Sequence, residues 1–172
     1  ATWTDISARL HNADRYHLNA ISGLGNTIII AGESGSLFRS KDGGESWVQL
    51  ESPDEELGSY FSITFNTATD IIIGGLRGSL YRSHDTGDSF ELIEEDLRKN
   101  MNGVYFAQND VVLAVGNEGA LLVSRDGGQT FESHVRSDRL TITSAVEAKD
   151  GAYVLVGGGG VKRLTAADLQ AQ

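Results

Sequence analysis

Short apolar runs separated by glycine-rich polar turns recur along the whole chain. Residues 27–32 (TIIIAG) form a continuous β-branched run, which is typical of a strand buried on both faces. The preceding residues 17–24 (HLNAISGL) alternate as expected for a half-buried strand. Two further short runs, 36–40 (SLFRS) and 47–51 (WVQLE), follow after polar turns. The pattern therefore predicts a unit of four antiparallel strands joined by tight turns.

The same pattern returns three more times. The second unit holds DIIIGG and SLYRS, the third holds VVLAVG and ALLVS, and the fourth holds AYVLVGG and VKRLT, always in this order. In the fourth unit the pattern ends early, because 165–172 (TAADLQAQ) has Ala167 where the other units have an aspartate, and no fourth strand follows. We therefore expect the last unit to be incomplete.

An aspartate-containing turn closes each of the first three units. The segments are 40–47 (SKDGGESW), 83–90 (SHDTGDSF) and 124–131 (SRDGGQTF), so that S-x-D-x-G-x-[ST]-[WF] holds in all three; we call them the aspartate loops. Their aspartates are 43 and 41 residues apart. A period of roughly 40–45 residues with four strands per unit is typical of a propeller blade.

The sequence thus predicts an all-β fold, a β-propeller of about four blades made of four-stranded antiparallel sheets, in one domain over 1–172. The predicted segments are a closing outer strand at 1–10, blade 1 at 15–51, blade 2 at 58–94, blade 3 at 101–135 and an incomplete blade 4 at 140–170. Trp3 resembles the aromatic residue that opens each outer strand, so the N-terminal strand is expected to complete the last blade. The ring can close alone, pair with a second copy as a homodimer to make a larger ring, or belong to a longer protein.

Composition and charge exclude several classes of function. The chain has 172 residues, 21 glycines, one proline, no cysteine and a formal net charge of −10. Such an acidic chain is unsuited to nucleic acid or an anionic membrane, and no apolar run approaches the ~20 residues of a membrane span, so no membrane insertion is expected. No signal peptide is visible; the compartment is left open, with the periplasm or another extracytoplasmic location slightly favoured.

The aspartate loops are interpreted as structural fasteners. The aspartate can accept hydrogen bonds from the following backbone, the glycine can take a positive φ, and the final aromatic residue can anchor the next strand. Calcium binding is the alternative, but each loop offers too few carboxylates for that ion. The residues concerned are Ser40, Asp42, Gly44, Trp47, Ser83, Asp85, Gly87, Phe90, Ser124, Asp126, Gly128 and Phe131.

These loops resemble the Asp-box, also called the bacterial neuraminidase repeat. With GESGSLFRSKDGGESW and GLRGSLYRSHDTGDSF, the repeat is most similar to the photosystem II stability and assembly factor type of propeller, and the resemblance covers nearly the whole chain. It implies a propeller fold and a non-catalytic, protein-binding scaffold. The alternative it leaves open is a glycan-binding or glycosidase-like propeller related to the sialidases.

The residues of a sialidase site are not found together in the sequence. The Arg-Ile-Pro motif is absent, since the only proline is Pro53, and no tyrosine is paired with an obvious glutamate. Arg39 and Arg82 hold equivalent repeat positions, which favours blade packing or salt bridging over a substrate clamp. His84 is expected to be exposed to solvent. We predict no catalytic residues, no metal site and no cofactor.

A partner protein is expected to bind the face that carries the blade-to-blade connectors and the turns between second and third strands. This face lies at the opposite end from the aspartate loops, and its mixed charge suits a protein surface. The candidate rim residues are Glu33, Asp54, Glu55, Arg77, Arg98, Glu118, Arg136 and Arg139.

Overall fold

The computed structural model describes residues 2–54, 56 and 58–170. In this part of the chain there are fifteen strands, and their bounds are β1 (Leu18–Leu24), β2 (Thr27–Gly32), β3 (Leu37–Ser40), β4 (Val48–Gln49), β5 (Tyr60–Phe65), β6 (Ile71–Gly75), β7 (Leu80–Ser83), β8 (Glu91–Leu92), β9 (Met101–Phe106), β10 (Val112–Gly116), β11 (Ala120–Ser124), β12 (Glu132–Val135), β13 (Ile142–Glu147), β14 (Tyr153–Gly157) and β15 (Gly160–Leu164). One short helix, α1 (Ala166–Gln170), follows the last strand. Single 3₁₀ turns lie at Ser7–Arg9, Leu76–Gly78 and Asn117–Gly119.

The strands form four antiparallel sheets in chain order. Blade 1 is β1-β2-β3-β4, blade 2 is β5-β6-β7-β8, blade 3 is β9-β10-β11-β12 and blade 4 is β13-β14-β15. The predicted all-β propeller architecture is confirmed. The last blade has three strands among the described residues, as the early end of the repeat indicated.

Neighbouring blades pack face to face, which explains the continuous apolar runs. In β2 the side chains alternate, so Ile29 and Ala31 contact blade 2 while Ile28 and Ile30 lie on the other side. We call the side of a blade that meets the following blade its trailing face and the opposite side its leading face. Because β2, β6 and β10 are each covered on both faces or nearly so, every position in them favours an apolar residue.

Three buried clusters fill the interfaces between blades. Trailing-face residues come first and leading-face residues second: Ile29, Ala31 and Leu37 against Tyr60, Ile63, Ile71, Ile73 and Tyr81; Ile72 and Leu80 against Met101, Val104, Val112, Ala114 and Leu122; Leu113, Val115, Leu121 and Val123 against Ile142, Ala145, Tyr153 and Leu155. The innermost strands contact in chain order, β1 with β5, β5 with β9 and β9 with β13. Extended contact between β1 and β13 is not found in the described chain, so the four blades form an open arc.

The N-terminal segment does not take the predicted place in the last blade. Residues 2–10 contain no strand, and the described edge strand of blade 4, β15, pairs only with β14. The predicted closing strand at 1–10 is therefore not observed among these residues, and Trp3 is 98% exposed. Instead, Leu10 packs beside Phe38 and Trp47 on the leading face of blade 1, because that face offers an uncovered apolar surface nearby in the chain.

Candidate functional site

The three aspartate loops fold in the same way, with the aspartate serving its own loop. In the first, Asp42 Oδ1 accepts the N–H of Ser46 (2.9 Å) and Oδ2 accepts its hydroxyl (2.5 Å). Ser40 Oγ donates to Asp42 Oδ1 (2.7 Å) and accepts the N–H of Gly44 (2.8 Å). The second and third loops repeat these bonds through Asp85 and Asp126.

These hydrogen bonds stabilise the charged form of each aspartate. For Asp42 and Asp85 the hydroxyl and N–H of Ser46 and Ser89 hold the pKa of the carboxyl well below its usual range. For Asp126 burial works in the opposite direction, but the donors from Thr130 prevail and the pKa is again lowered. Among the described residues, no group of three or more His, Asp or Glu side chains is arranged to hold a metal ion.

The glycines of the second and third loops lie against the preceding blade. A Cβ on Gly87 would come within 3.2 Å of Leu50 and 3.3 Å of Ile29, and one on Gly128 within 2.8 Å of Ile72. Both glycines also have positive φ, 85° and 87°. Each of these loops therefore fits closely against its neighbouring blade as well as closing its own hairpin.

Two arginines on the trailing faces have largely buried side chains and form ion pairs. Arg39 Nη1 donates to the carbonyl of Thr86 (2.8 Å) and forms an ion pair with Asp88 Oδ1 (2.7 Å), so it joins blade 1 to the second aspartate loop. Arg82 makes two bonds to Asp70 (2.8 and 2.9 Å) within blade 2. The predicted packing and salt-bridging role of the pair is confirmed, and His84 is exposed as expected.

The opposite end of the arc carries the connectors between blades and the β2–β3, β6–β7 and β10–β11 turns, and we call it the connector face. Its three turns have the same geometry, with a non-glycine residue at positive φ followed by a glycine at positive φ. The values are 50° and 69° at Ser34 and Gly35, 57° and 85° at Arg77 and Gly78, and 55° and 75° at Glu118 and Gly119. Paired positive φ values are typical of a type I′ turn.

An acidic residue braces each connector. Asp54 accepts the N–H groups of Glu56 (2.9 Å) and Gly58 (3.1 Å), and Glu95 accepts those of Leu97 (2.6 Å) and Arg98 (2.8 Å). Asp138 accepts the N–H of Leu140 (3.1 Å) in the third connector. Asp54, predicted for the rim, thus also holds its own loop.

Two adjoining grooves lie on this face between the first three blades. One, of about 330 Å³, is lined by Asp54, Glu56 and Arg77 among others. The second, of about 470 Å³, shares Arg77 and Ser79 with the first and adds three acids, Glu94, Glu95 and Asp96, and Arg98. Arg77 therefore stands between the two grooves, and it forms an exposed pair with Glu56 (3.1 Å).

The remaining rim residues fall into two separate groups. Glu118 pairs with Lys99 (2.8 Å) and lies near Arg139 (3.9 Å), while Arg136 pairs with Asp138 and its N–H donates to the Gly119 carbonyl (3.0 Å). Glu33 pairs with His17 (3.0 Å) on blade 1, apart from the grooves. Both Glu33 and Glu118 have a pKa below the usual range, caused first by the hydrogen bonds from His17 and Lys99 respectively. Glu55 lies outside the described residues.

Sequence reasoning missed several residues that shape the grooves. Glu56, Ser79, Glu94, Glu95 and Asp96 line them but were not predicted for the rim. The sequence places the connectors on the partner-binding face, but it does not show which of their side chains line a groove. The available signal was that an acidic residue follows the outer strand in each of the first three blades. In the structure, one acid in each connector accepts backbone N–H groups.

No family model matches the chain, and no curated protein matches it. Solved structures do resemble it. A structure of YCF48 bound to a D1 peptide has a TM-score of 0.68 at 21% identity, and the match covers 88% of this chain and 50% of that one. YCF48 from Cyanidioschyzon merolae gives 0.70 at 19% identity, over 88% and 54% of the two chains. An ancestral GH74 enzyme gives 0.74 at 17% identity, over 87% of this chain and 23% of that one.

These likenesses show that the chain shares the propeller fold. The chain spans about half the length of the YCF48 chains it matches. Among the residues described, no helix combines the length and the apolar character needed to cross a bilayer.

Proposed function

We propose that the chain is a non-catalytic scaffold whose connector face binds an extended segment of a partner protein. The observation that carries this proposal is the likeness to YCF48 in a structure with a bound D1 peptide. The repeat in the sequence, which resembles the assembly-factor type of propeller, supports the same role. Two adjoining grooves of about 330 and 470 Å³ offer room for several side chains of such a segment.

The charge of the grooves favours a partner segment that contains basic residues. Their lining includes five acids, Asp54, Glu56, Glu94, Glu95 and Asp96, against two bases, Arg77 and Arg98. The chain as a whole has a net charge of −10, which attracts a basic segment during encounter. Arg77 and Arg98 would in turn pair with acidic positions of the segment and fix its register.

The two arginines of the grooves share an unusual backbone conformation. Arg77 and Arg98 adopt φ values of 57° and 47°, in the left-handed region that arginine seldom occupies. Strained residues of this kind cluster at binding sites, where the surrounding structure holds them in place. The same conformation also occurs at Thr86, Asn109 and Asp110 at the other end of the arc, so the proposal rests on the grooves and their charge.

The test is fluorescence anisotropy with labelled twelve-residue peptides that differ only in charge, one with alternating Lys and Ala, one with Glu and Ala, and one with Gln and Ala. We expect the Lys peptide to bind and the Glu peptide not to bind. Replacing the exposed groove acids Glu94 and Asp96 by Gln and Asn should weaken binding roughly tenfold, because each exposed charge contributes about 0.5–1 kcal/mol.

The matched control removes acids from the other end of the arc. Glu45 lies in the first aspartate loop, and the exposed Asp110 lies at the same end, where its carbonyl accepts the N–H of Gly127. Glu45→Gln with Asp110→Asn therefore changes the net charge by the same amount and should leave binding unchanged. Equal weakening by both variants, or equal binding of all three peptides, would contradict a site on the connector face.

The second candidate is a glycosidase-like propeller, because the match to an ancestral GH74 enzyme has a TM-score of 0.74. Two carboxylates flanking a sugar would carry such chemistry. Asp54 and Glu95 instead accept two backbone N–H groups each, which favours a structural role for them. Measured turnover of a soluble β-glucan or a sialyl substrate, abolished by replacing any acid of the grooves, would establish the enzyme and overturn the scaffold.

A further inference from the structure

The two ends of the arc expose surfaces that are buried everywhere inside it. On the leading faces, Tyr60, Met101 and Ile142 hold one repeat position and are 0%, 0% and 1% exposed, whereas Leu18 in blade 1 is 42% exposed. The next position shows the same contrast. Ile63, Val104 and Ala145 are at most 9% exposed, and Ile21 is 67% exposed.

The trailing faces show the complementary contrast. Leu37, Leu80 and Leu121 are completely buried against the following blade, whereas Val161 at the same position of blade 4 is 69% exposed. Val156, which corresponds to Ala31 and Val115, is 39% exposed. Blade 4 thus has exposed valines on its trailing face, and blade 1 has exposed apolar residues on its leading face. Inside the arc, these two kinds of face cover each other.

The N-terminal segment covers part of the leading face of blade 1, where an internal blade would contact the blade before it. Arg39 joins blade 1 to blade 2 by binding the Thr86 carbonyl and Asp88 in the second aspartate loop. Arg9 makes similar contacts in the first loop, to Glu45 (3.0 Å), which is equivalent to Asp88, and to the Gly44 carbonyl (3.2 Å), one residue beyond the equivalent of Thr86. Leu10 meanwhile packs on Ile30, Phe38 and Trp47.

We propose that residues 5–12 form a displaceable latch over the leading face of blade 1, and that the trailing face of blade 4 from a second copy of this chain replaces it. The latch leaves the inner strand uncovered, since a groove of about 240 Å³ remains at Leu18, Ile21 and Ile30. The exposed valines of blade 4 are apolar and can fill this groove. They hold the same strand positions as the residues that cover a leading face in the three internal interfaces.

Charge supports the same replacement. Arg163 pairs with Val154 across β14 and β15 as Arg39 pairs with Ile29 across β2 and β3, so it stands at the equivalent position. In the single copy, Arg163 pairs with the exposed Asp150 of its own blade. In the docked pair, it exchanges this partner for Glu45 of the other copy, which Arg9 releases. Two copies related by a two-fold axis form both contacts at once and leave no free blade face.

The experiment measures the mass of the full chain by light scattering as a function of concentration. We expect a monomer of 18.4 kDa in equilibrium with a species of twice that mass. Releasing the latch with Arg9→Ala and Leu10→Ala together should lower the dissociation constant roughly tenfold, because a larger fraction of the chain is competent to dock. Val156→Lys should abolish the dimer in both backgrounds.

Val135→Lys is the matched control, since Val135 is 42% exposed on the outer strand of blade 3 and lies on neither end of the arc. It should dimerise as the unchanged chain does. Hydrogen exchange gives an independent measurement: dimerisation should protect the amides of β1 and increase exchange in residues 5–12.

Three results would overturn the proposal. One is a monomer at every concentration both with and without the latch substitutions. Another is a dimer that survives Val156→Lys, and the third is a mass that grows beyond the dimer, which indicates open-ended assembly. Arg163→Glu adds a check that is independent of packing, since it should weaken the dimer and regain affinity when combined with Glu45→Arg.

Discussion

At the scale of single residues, the connector face combines strained backbone with charged side chains. Arg77 lies at φ 57° and ψ 30°, and Glu118 at φ 55° and ψ 32°, each in the first central position of its turn. The glycine that follows Arg77 is fixed by its surroundings, because a Cβ on Gly78 would overlap Glu95 Oε1 at 1.9 Å. The positive φ of Arg77 is therefore followed directly by a position that only glycine fits.

Replacing Arg77 by Asn should stabilise the fold. Asn adopts the left-handed region more readily than Arg, and the pair with Glu56 that is lost is exposed and of little value, so we expect the free energy of unfolding to rise by about 0.5–1 kcal/mol. Urea denaturation measures this change. Arg77→Lys keeps the charge and the strain and should give no gain; a gain of the same size there would show that strain at this residue is not the cause.

The aspartate loops make the free energy of unfolding depend on pH in the acidic range. Their three aspartates have a pKa lowered from the ordinary 3.8, so each contributes stability that is present above about pH 4 and lost as the pH falls below it. We expect the urea midpoint to fall steadily between about pH 4 and pH 2. Asp85→Asn removes one titrating group and should flatten the dependence, whereas an unchanged midpoint down to pH 2 would refute the role given to these carboxylates.

At the scale of elements, the buried central strands were predictable and the edges were not. The runs at 27–32 and 71–75 became β2 and β6, because a strand covered on both faces must be apolar throughout. The outer strands β4 and β8 have only two residues each, shorter than the sequence indicated, since an edge strand pairs on one side only and twists away. The predicted closing strand at 1–10 is not observed among residues 2–10, because strand-like residues do not reveal which surface they will cover.

The grooves of the connector face were predictable only in position. The repeat places the connectors and the turns at one end of every blade, so Arg77 and Arg98 could be assigned to that face. The hydrogen bonds that Glu95 and Asp138 accept from backbone N–H groups depend on the path of each connector. No periodic pattern in the sequence predicts that path.

The interface between blades 1 and 2 depends on Arg39, which is 7% exposed. Its replacement by Ala leaves the partly buried Thr86 carbonyl without its donor, while the Asp88 side chain, 58% exposed, can be solvated, so we expect the free energy of unfolding to fall by about 1 kcal/mol. Arg163→Ala is the matched control, because Arg163 holds the same repeat position on the free face of blade 4 and should cost well under half as much in a monomer. Equal losses in urea denaturation of dilute protein would show that the contact with the next blade is not what Arg39 contributes.

At the scale of the whole molecule, an open arc has ends that differ from its middle. Blade 3 is covered on both faces, and all five residues of β10 are buried, whereas β14 of blade 4 has its free face in solvent. In an array of repeats, each unit is stabilised mainly by its neighbours, so a terminal unit opens more easily than an internal one. We therefore expect native-state hydrogen exchange of dilute protein to be faster in 153–157 than in 112–116, by about tenfold or more. If both strands instead exchanged at the rate of global unfolding, blade 4 would be as stable as blade 3, and its free face would not weaken it.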